Sequence, residues 1–178
     1  DCMDRGVRLI PEIDLPGHVT HIVASRPDLA PTGRATDRTQ KFGVHRACLD
    51  PSNENVFIFV RELIEELSDV FPDPFIHLGG DEVDPTWWSG DPNINSFMKK
   101  NGLSNPIDLQ NYFFRRLVEI GTALGKTVIG WDEVLHPEMP DCVVQNWRGC
   151  TTRDRARALG RDCICLLYTS DAADDIPG

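Results

Sequence analysis

The sequence predicts an α/β fold of parallel strands with alternating helices, and within that class an incomplete (β/α)8 TIM barrel. Three observations predict it. Short runs rich in Val, Ile and Leu alternate with longer amphipathic stretches, the pattern of βαβ units. Each apolar run ends in acidic, amide or aromatic residues, and in parallel sheets the site is built at the carboxyl ends of the strands. The 178 residues hold four such runs, five with RDCICLL at 161–167, where a full barrel takes about 250 residues. A doubly wound sheet satisfies the same alternation, but site-like residues at every strand end suit a barrel mouth better than one crevice.

The elements follow in order. VRLIPEID (7–14) is read as a buried strand ending in Asp14. Residues 29–51 are polar and irregular and read as a loop. SNENVFIFVRELIEELSDVF (52–71) reads as a helix, with Ser52 or Asn53 as N-cap and Val56, Phe59, Val60, Leu63, Ile64 and Leu67 as its apolar stripe. PFIHLGGDE (74–82) is a strand ending in Asp81 and Glu82. NPIDLQNYFFRRLVEIGTALGK (105–126) is a second helix, with Gly125 as its stop. KTVIGWDEV (126–134) and DCVVQNW (141–147) are strands, and TTRDRARALG (151–160) is a short helix. Strands buried on both faces are continuously apolar, as these are.

Composition narrows the function. Lys and Arg total 18 against 28 Asp and Glu, a net charge of -10. Such a surface does not suit a nucleic-acid backbone. No stretch approaches the roughly 20 consecutive apolar residues of a membrane span. No signal peptide opens the chain, but DCMDRGVRLIPEID lacks an initiator methionine and reads as cut from a longer protein. The six cysteines are scattered, with no C-x-x-C pair, so neither a zinc site nor a disulfide pattern is assigned. No cofactor is expected, and the sequence is silent on oligomeric state.

FIHLGGDEVDPTWW (75–88) carries the chemistry. In a regular strand Asp81 and Glu82 point to opposite faces. They reach one pocket only if the chain turns out of the strand, which Gly79 and Gly80 permit. Neighbouring carboxyls titrate apart, one ionised and one holding its proton. One acid and one anion serve acetal cleavage at a sugar. Trp87 and Trp88 are read as apolar walls for a pyranose face. The plainer reading of an Asp-Glu pair is a loop start or helix cap.

HLGGDE at 77–82 resembles the catalytic motif of the family 20 glycoside hydrolases, the β-N-acetylhexosaminidases. RGVRLIPEIDLPGH (5–18), WDEV (131–134) and VVQNWRG (143–149) resemble that family's other strand ends, in order, over about Arg5 to Gly160. The resemblance implies hydrolysis of terminal β-linked N-acetylglucosamine or N-acetylgalactosamine with retention. Glu82 would be the general acid. The substrate's own 2-acetamido oxygen would be the nucleophile, giving an oxazolinium intermediate, and Asp81 would orient that group. Asp14 and His18 would sit at the pocket mouth, and His77 would support the acid, with Asp14–His77 the candidate pair. Trp131 and Trp147 would wall the acetamido pocket, though core packing is the usual place of a tryptophan at a strand end. Glu133 would hydrogen-bond substrate or orient Trp131, and Trp88 fits the pattern better than Trp87. His18 and His21 are too few for a metal site, so none is expected. Family analogy implies a secreted, periplasmic or lysosomal location.

The resemblance also implies that the first two strands and the last are missing from a domain spanning 1–164. An inactive fragment or a carbohydrate-binding pseudoenzyme is therefore the alternative reading. CLLYTSDAADDIPG (165–178) loses the pattern and resembles translated sequencing-adapter sequence. Residues from about Cys165 are expected to be non-native, with an ordinary acidic tail as the alternative.

Overall fold

A computed structural model describes residues 2–41 and 43–166. Four strands form one parallel sheet in sequence order: β1 (Phe75–His77), β2 (Thr127–Trp131), β3 (Val143–Asn146) and β4 (Cys163–Cys165). Ile76 pairs with Val128, Gly130 with Val144, and Gln145 with Ile164. Consecutive parallel neighbours joined by crossovers are the arrangement of a (β/α)8 wall, here an incomplete one.

The predicted first strand is realised only in part. Glu12 makes a single parallel bridge to His77. The Ile13 N–H donates to His77 O, the Leu15 N–H to Leu78 O, and the His77 N–H to Pro11 O. Pro11 has no N–H for a ladder. Among the described residues nothing pairs with the outer edge of this segment, and Val7, Leu9 and Ile10 are exposed, not buried. Arg8 ties the segment to the loop before β1 through both oxygens of Asp73, at 2.7 and 2.9 Å.

The helices follow from their caps and stripes. In α2 (Glu54–Val70), Asn53 caps the first turn by accepting from the Asn55 N–H at 3.0 Å. Its buried residues are Val56, Phe57, Val60 and Ile64. Phe57 joins the predicted stripe, because α2 packs on Tyr112 and Phe113 of the second long helix, while Phe59 and Leu67 are partly buried against the same core. The α4 helix (Pro106–Ala123) is capped by Asn105, which accepts from the Asp108 N–H. It ends where Gly125 takes φ +76°. Phe113, Phe114 and Leu117 of α4 form the core with Ile76 and Val128 of the sheet. The α5 helix (Cys150–Ala158) covers β3 and β4.

Two helices were not anticipated. One is α1 (Thr20–Ser25). The other is α3 (Pro92–Lys100), started by Asp91, whose carboxylate accepts from the Asn93 and Ile94 N–H groups ahead of a proline in the first turn. The described residues of 29–51 form no regular element beyond one short turn, but the segment is pinned by Leu29, Ala47, Cys48 and Leu49, all buried. Cys165 belongs to β4, and the remaining tail residues 167–178 lie outside the described ones.

Candidate active site

The turn after β1 builds the centre of the site. Ladder bonding continues past β1, with the Leu78 N–H on Ile129 O and the Trp131 N–H on Gly79 O. The backbone then leaves the strand through Gly79 (φ +71°), Gly80 (φ +103°) and Glu82 (φ +48°). A Cβ on Gly79 would run into the Cα and carboxyl of Asp14. The bare backbone lets Asp14 close in and accept the Gly80 N–H at 2.8 Å. Among the described residues, Glu82 and His18 (φ +54°) are the non-glycine residues in the left-handed region. Each such residue stores about 1–3 kcal/mol of strain, a feature that clusters at functional sites. The two face each other, His18 Nε2 lying 3.5 Å from Glu82 Oε2.

The turn brings Asp81 and Glu82 to one side. With Trp131 at the end of β2 and Trp147 just after β3, they line a hollow of about 210 Å³, closed in part by Leu166. Both indoles are held through their N–H groups. Trp131 Nε1 donates to Glu12 Oε1 at 3.0 Å, and Trp147 Nε1 to Glu133 Oε2 at 3.1 Å. Glu133 therefore contacts Trp147 rather than Trp131. Beneath them, Asp132 is fully buried and accepts from Arg148 Nε at 2.6 Å and Asn146 Nδ2 at 2.8 Å. Burial, which disfavours the anion, pushes the Glu133 carboxyl up to about 7, against the hydrogen bond from Trp147.

Asp14 does not pair with His77. It sits against His18, at 3.6 Å from Nε2, and shares a hydrogen bond with Asp81. Burial first, and then Asp81, push the Asp14 carboxyl up to about 9, while the Gly80 N–H pulls the other way. The Asp14 carboxyl is thus biased toward its protonated form beside Asp81. His77 is almost wholly buried and packs edge-on to Trp131 with ring centres 4.8 Å apart. Its Nδ1 accepts the Gly79 N–H at 3.1 Å and lies 3.6 Å from Glu12 Oε1. Burial lowers its pKa to about 4, so the ring is neutral and its proton is on Nε2.

Trp87 and Trp88 are absent from the hollow. They are 9% and 2% exposed and belong to the core, with Trp88 Nε1 donating to Leu49 O at 2.9 Å. A short turn, Pro85–Trp87, capped by Asp84, carries the chain away from the strand ends. Glu12, Asp132, Asn146 and Arg148 were missed. Glu12 and Asp132 were visible as acids at strand ends, but nothing in the sequence told their partners.

Asp14, His18 and Asp81 each bring one possible ligand atom within 4.8 Å of the others, a grouping that a cation could use. His21 is not part of it. No described helix is long and apolar enough to cross a membrane.

A carboxyl pair and two indoles gather around one hollow at the carboxyl ends of parallel strands, an arrangement that suits the catalytic domain of a glycoside hydrolase. Residues 2–171 match the profile of the glycosyl hydrolase family 20 catalytic domain, and the chain belongs to that family. It is 39% identical to the β-hexosaminidase β subunit of Rattus norvegicus over 149 residues, 81% of this chain and 27% of the relative. It is 34% identical to a β-hexosaminidase of Porphyromonas gingivalis over 162 residues, 90% of this chain and 21% of the relative. Among solved structures, Flavobacterium johnsoniae chitobiase superposes with a TM-score of 0.82 at 30% identity, over 90% of this chain and 26% of that one. The exo-β-N-acetylglucosaminidase of Vibrio harveyi, in complex with N-acetylglucosamine, gives 0.78 at 29% identity, again over 90% and 26%. The chain therefore spans about a quarter of the length of the relatives it matches.

Proposed function

We propose that the protein carrying this chain removes terminal, non-reducing β-linked N-acetylhexosamine, N-acetylglucosamine or N-acetylgalactosamine, with retention of configuration. The observation that carries the reading is the convergence of Asp81, Glu82, Trp131 and Trp147 on one hollow of about 210 Å³. That is below the roughly 300 Å³ at which pockets for drug-sized ligands begin, and it suits a single sugar unit. The relatives' names, β-hexosaminidase and exo-β-N-acetylglucosaminidase, agree.

Glu82 donates its proton to the glycosidic oxygen as the bond from C1 to that oxygen breaks. The acetamido carbonyl oxygen of the same sugar bonds to C1, giving an oxazolinium ion. Asp81 accepts the acetamido N–H and faces the positive charge that develops there. Water then attacks C1, Glu82 takes its proton, and the acetamido group is released. An internal nucleophile is already in place, which removes most of the entropic barrier of a bimolecular attack. Substrate assistance is a known exception to the two-carboxylate scheme. Asp14, close beside Asp81, helps to hold that carboxylate in place, and the indoles shield the intermediate from water.

The test compares chromophore release by the full-length protein from an aryl N-acetyl-β-glucosaminide and from the aryl β-glucoside lacking the acetamido group. Release from the first alone is expected. Equal rates would overturn the substrate-assisted route, and release from neither would favour an inactive or sugar-binding role. The Asp14–His18–Asp81 grouping favours one competing reading, a cation-dependent hydrolase. A rate lost to a chelator and restored by a divalent ion would establish it in place of the route above.

A further inference from the structure

We infer that Glu12 is a positioning residue, whose carboxylate anchors the Trp131 indole in the plane that walls the hollow. The inference rests on the reading of that hollow as a sugar site.

The anchor is built by the sheet. Glu12 bridges His77 on one side of β1, and His77 pairs with Ile129 of β2 on the other. Trp131 stands at the end of β2, so Glu12 reaches it across the end of β1, over the buried His77 ring. One oxygen, Oε1, accepts the Trp131 indole N–H at 3.0 Å and lies 3.6 Å from His77 Nδ1. The Trp131 ring meets the His77 ring edge-on at 60°. Glu12 and His77 thus hold the indole from two directions, one by a hydrogen bond and one by packing.

Glu12 is not a core residue. Its side chain is 45% exposed, so the carboxylate lies at the edge of solvent. It is turned inward against partial burial, which raises its pKa, while the Trp131 hydrogen bond opposes that rise. A carboxylate turned from water toward one indole N–H fits orientation of that ring better than stabilisation of the fold. An unanchored indole turns broadly about its second side-chain torsion, which has no sharp staggered wells. A wall that moves contributes less to binding, because ordering it on each encounter costs free energy.

The test uses the full-length protein, nitrogen-labelled for indole NMR, and hydrolysis of the aryl N-acetyl-β-glucosaminide. Trp131→Phe identifies the Trp131 indole signal by its loss. In Glu12→Leu that signal shifts, and KM rises about fivefold to tenfold with kcat within about twofold, as expected for one lost charge-assisted hydrogen bond to a binding wall. Glu12→Gln keeps an acceptor oxygen and returns both readouts close to wild type. Glu12→Ser removes the same oxygen and replaces the leucine variant if that one does not fold. An unmoved indole signal overturns the anchor. A moved signal with unchanged KM overturns the positioning role. A glutamine variant as impaired as the leucine variant assigns the effect to charge and overturns the hydrogen bond. If the wild-type protein releases no chromophore, the hydrolase reading falls, and the indole signal alone decides the anchor.

Discussion

The chain has two pairs of tryptophans, and they end in opposite places. Trp87 and Trp88 follow Asp81 and Glu82 closely in sequence, yet both are core residues, and the Trp88 indole N–H is spent on the Leu49 carbonyl. Trp131 and Trp147 lie far along the chain, yet they face the same hollow as the two acids. The difference is where each stands relative to a strand. Trp131 closes β2 and Trp147 follows β3 directly, and parallel strand ends converge on the barrel mouth. Trp87 closes, and Trp88 follows, a short turn past the strand end, and both pack into the core. A parallel sheet gathers its site across strands, so nearness in the chain is a poor guide to nearness in the site.

The largest effect expected is at the centre of the hollow. Glu82→Gln removes the proposed proton donor with little change of shape, and kcat/KM should fall by about a thousandfold, within the range for general acid catalysis. Asp81→Asn should spare leaving-group protonation and lose assistance by the acetamido group. Steady-state kinetics check both, and full activity in either variant removes the assignment.

The tryptophans then give a crossed pair of outcomes. Trp88→Ala should cost about 3–5 kcal/mol of stability, as large-to-small changes in a core do. Trp147→Ala should cost little stability, because its ring lines an open hollow, and should raise KM about tenfold by loss of a binding wall. Urea unfolding and KM, measured on both variants, sharpen the comparison. A Trp88→Ala enzyme that folds normally but binds substrate poorly would reverse it.

This explains what was legible in the sequence. Strand type and order could be read, because buried parallel strands are continuously apolar and the helices between them carry caps and stripes. Asn53 and Gly125 stand where a cap and a stop were expected. The turn at Gly79–Gly80 could also be read, since only glycine allows Asp14 so close. Contacts across strands could not. Pairing Asp14 with His77 failed because a one-dimensional reading does not reveal that Glu12, not Asp14, bridges His77. For the same reason Glu133 was read as bonding substrate or orienting Trp131, its neighbour but one, when its indole partner is Trp147 just beyond the next strand. The α3 helix was missed although Asp91–Pro92 is an N-cap followed by a first-turn proline, because its apolar stripe is short.

The smallest effect tests whether Asp14 and Asp81, distant in sequence like the pocket tryptophans, act as one unit. The Asp14 carboxyl is pushed up to about 9, above its ordinary 3.8. Between those values the folded protein holds a proton that the unfolded chain has released. Stability therefore falls as pH rises through this window, by at most about 1.4 kcal/mol per pH unit. His77, pushed down to about 4, has the opposite sign, but its contribution changes only between about 4 and 6.5. Glu133 shares the sign of Asp14 and is spent by about 7. From pH 7 to 8.5 Asp14 is left to dominate the slope among these groups. In Asp14→Asn the new side-chain amide would keep both hydrogen bonds, its oxygen accepting from Gly80 and its N–H donating to Asp81, with no proton to lose. The urea midpoint of that variant should be flatter with pH over this range than that of the wild-type protein. Parallel curves for the two proteins would show that Asp14 and Asp81 do not share a proton, and Asp81 would then have to be held by some other group.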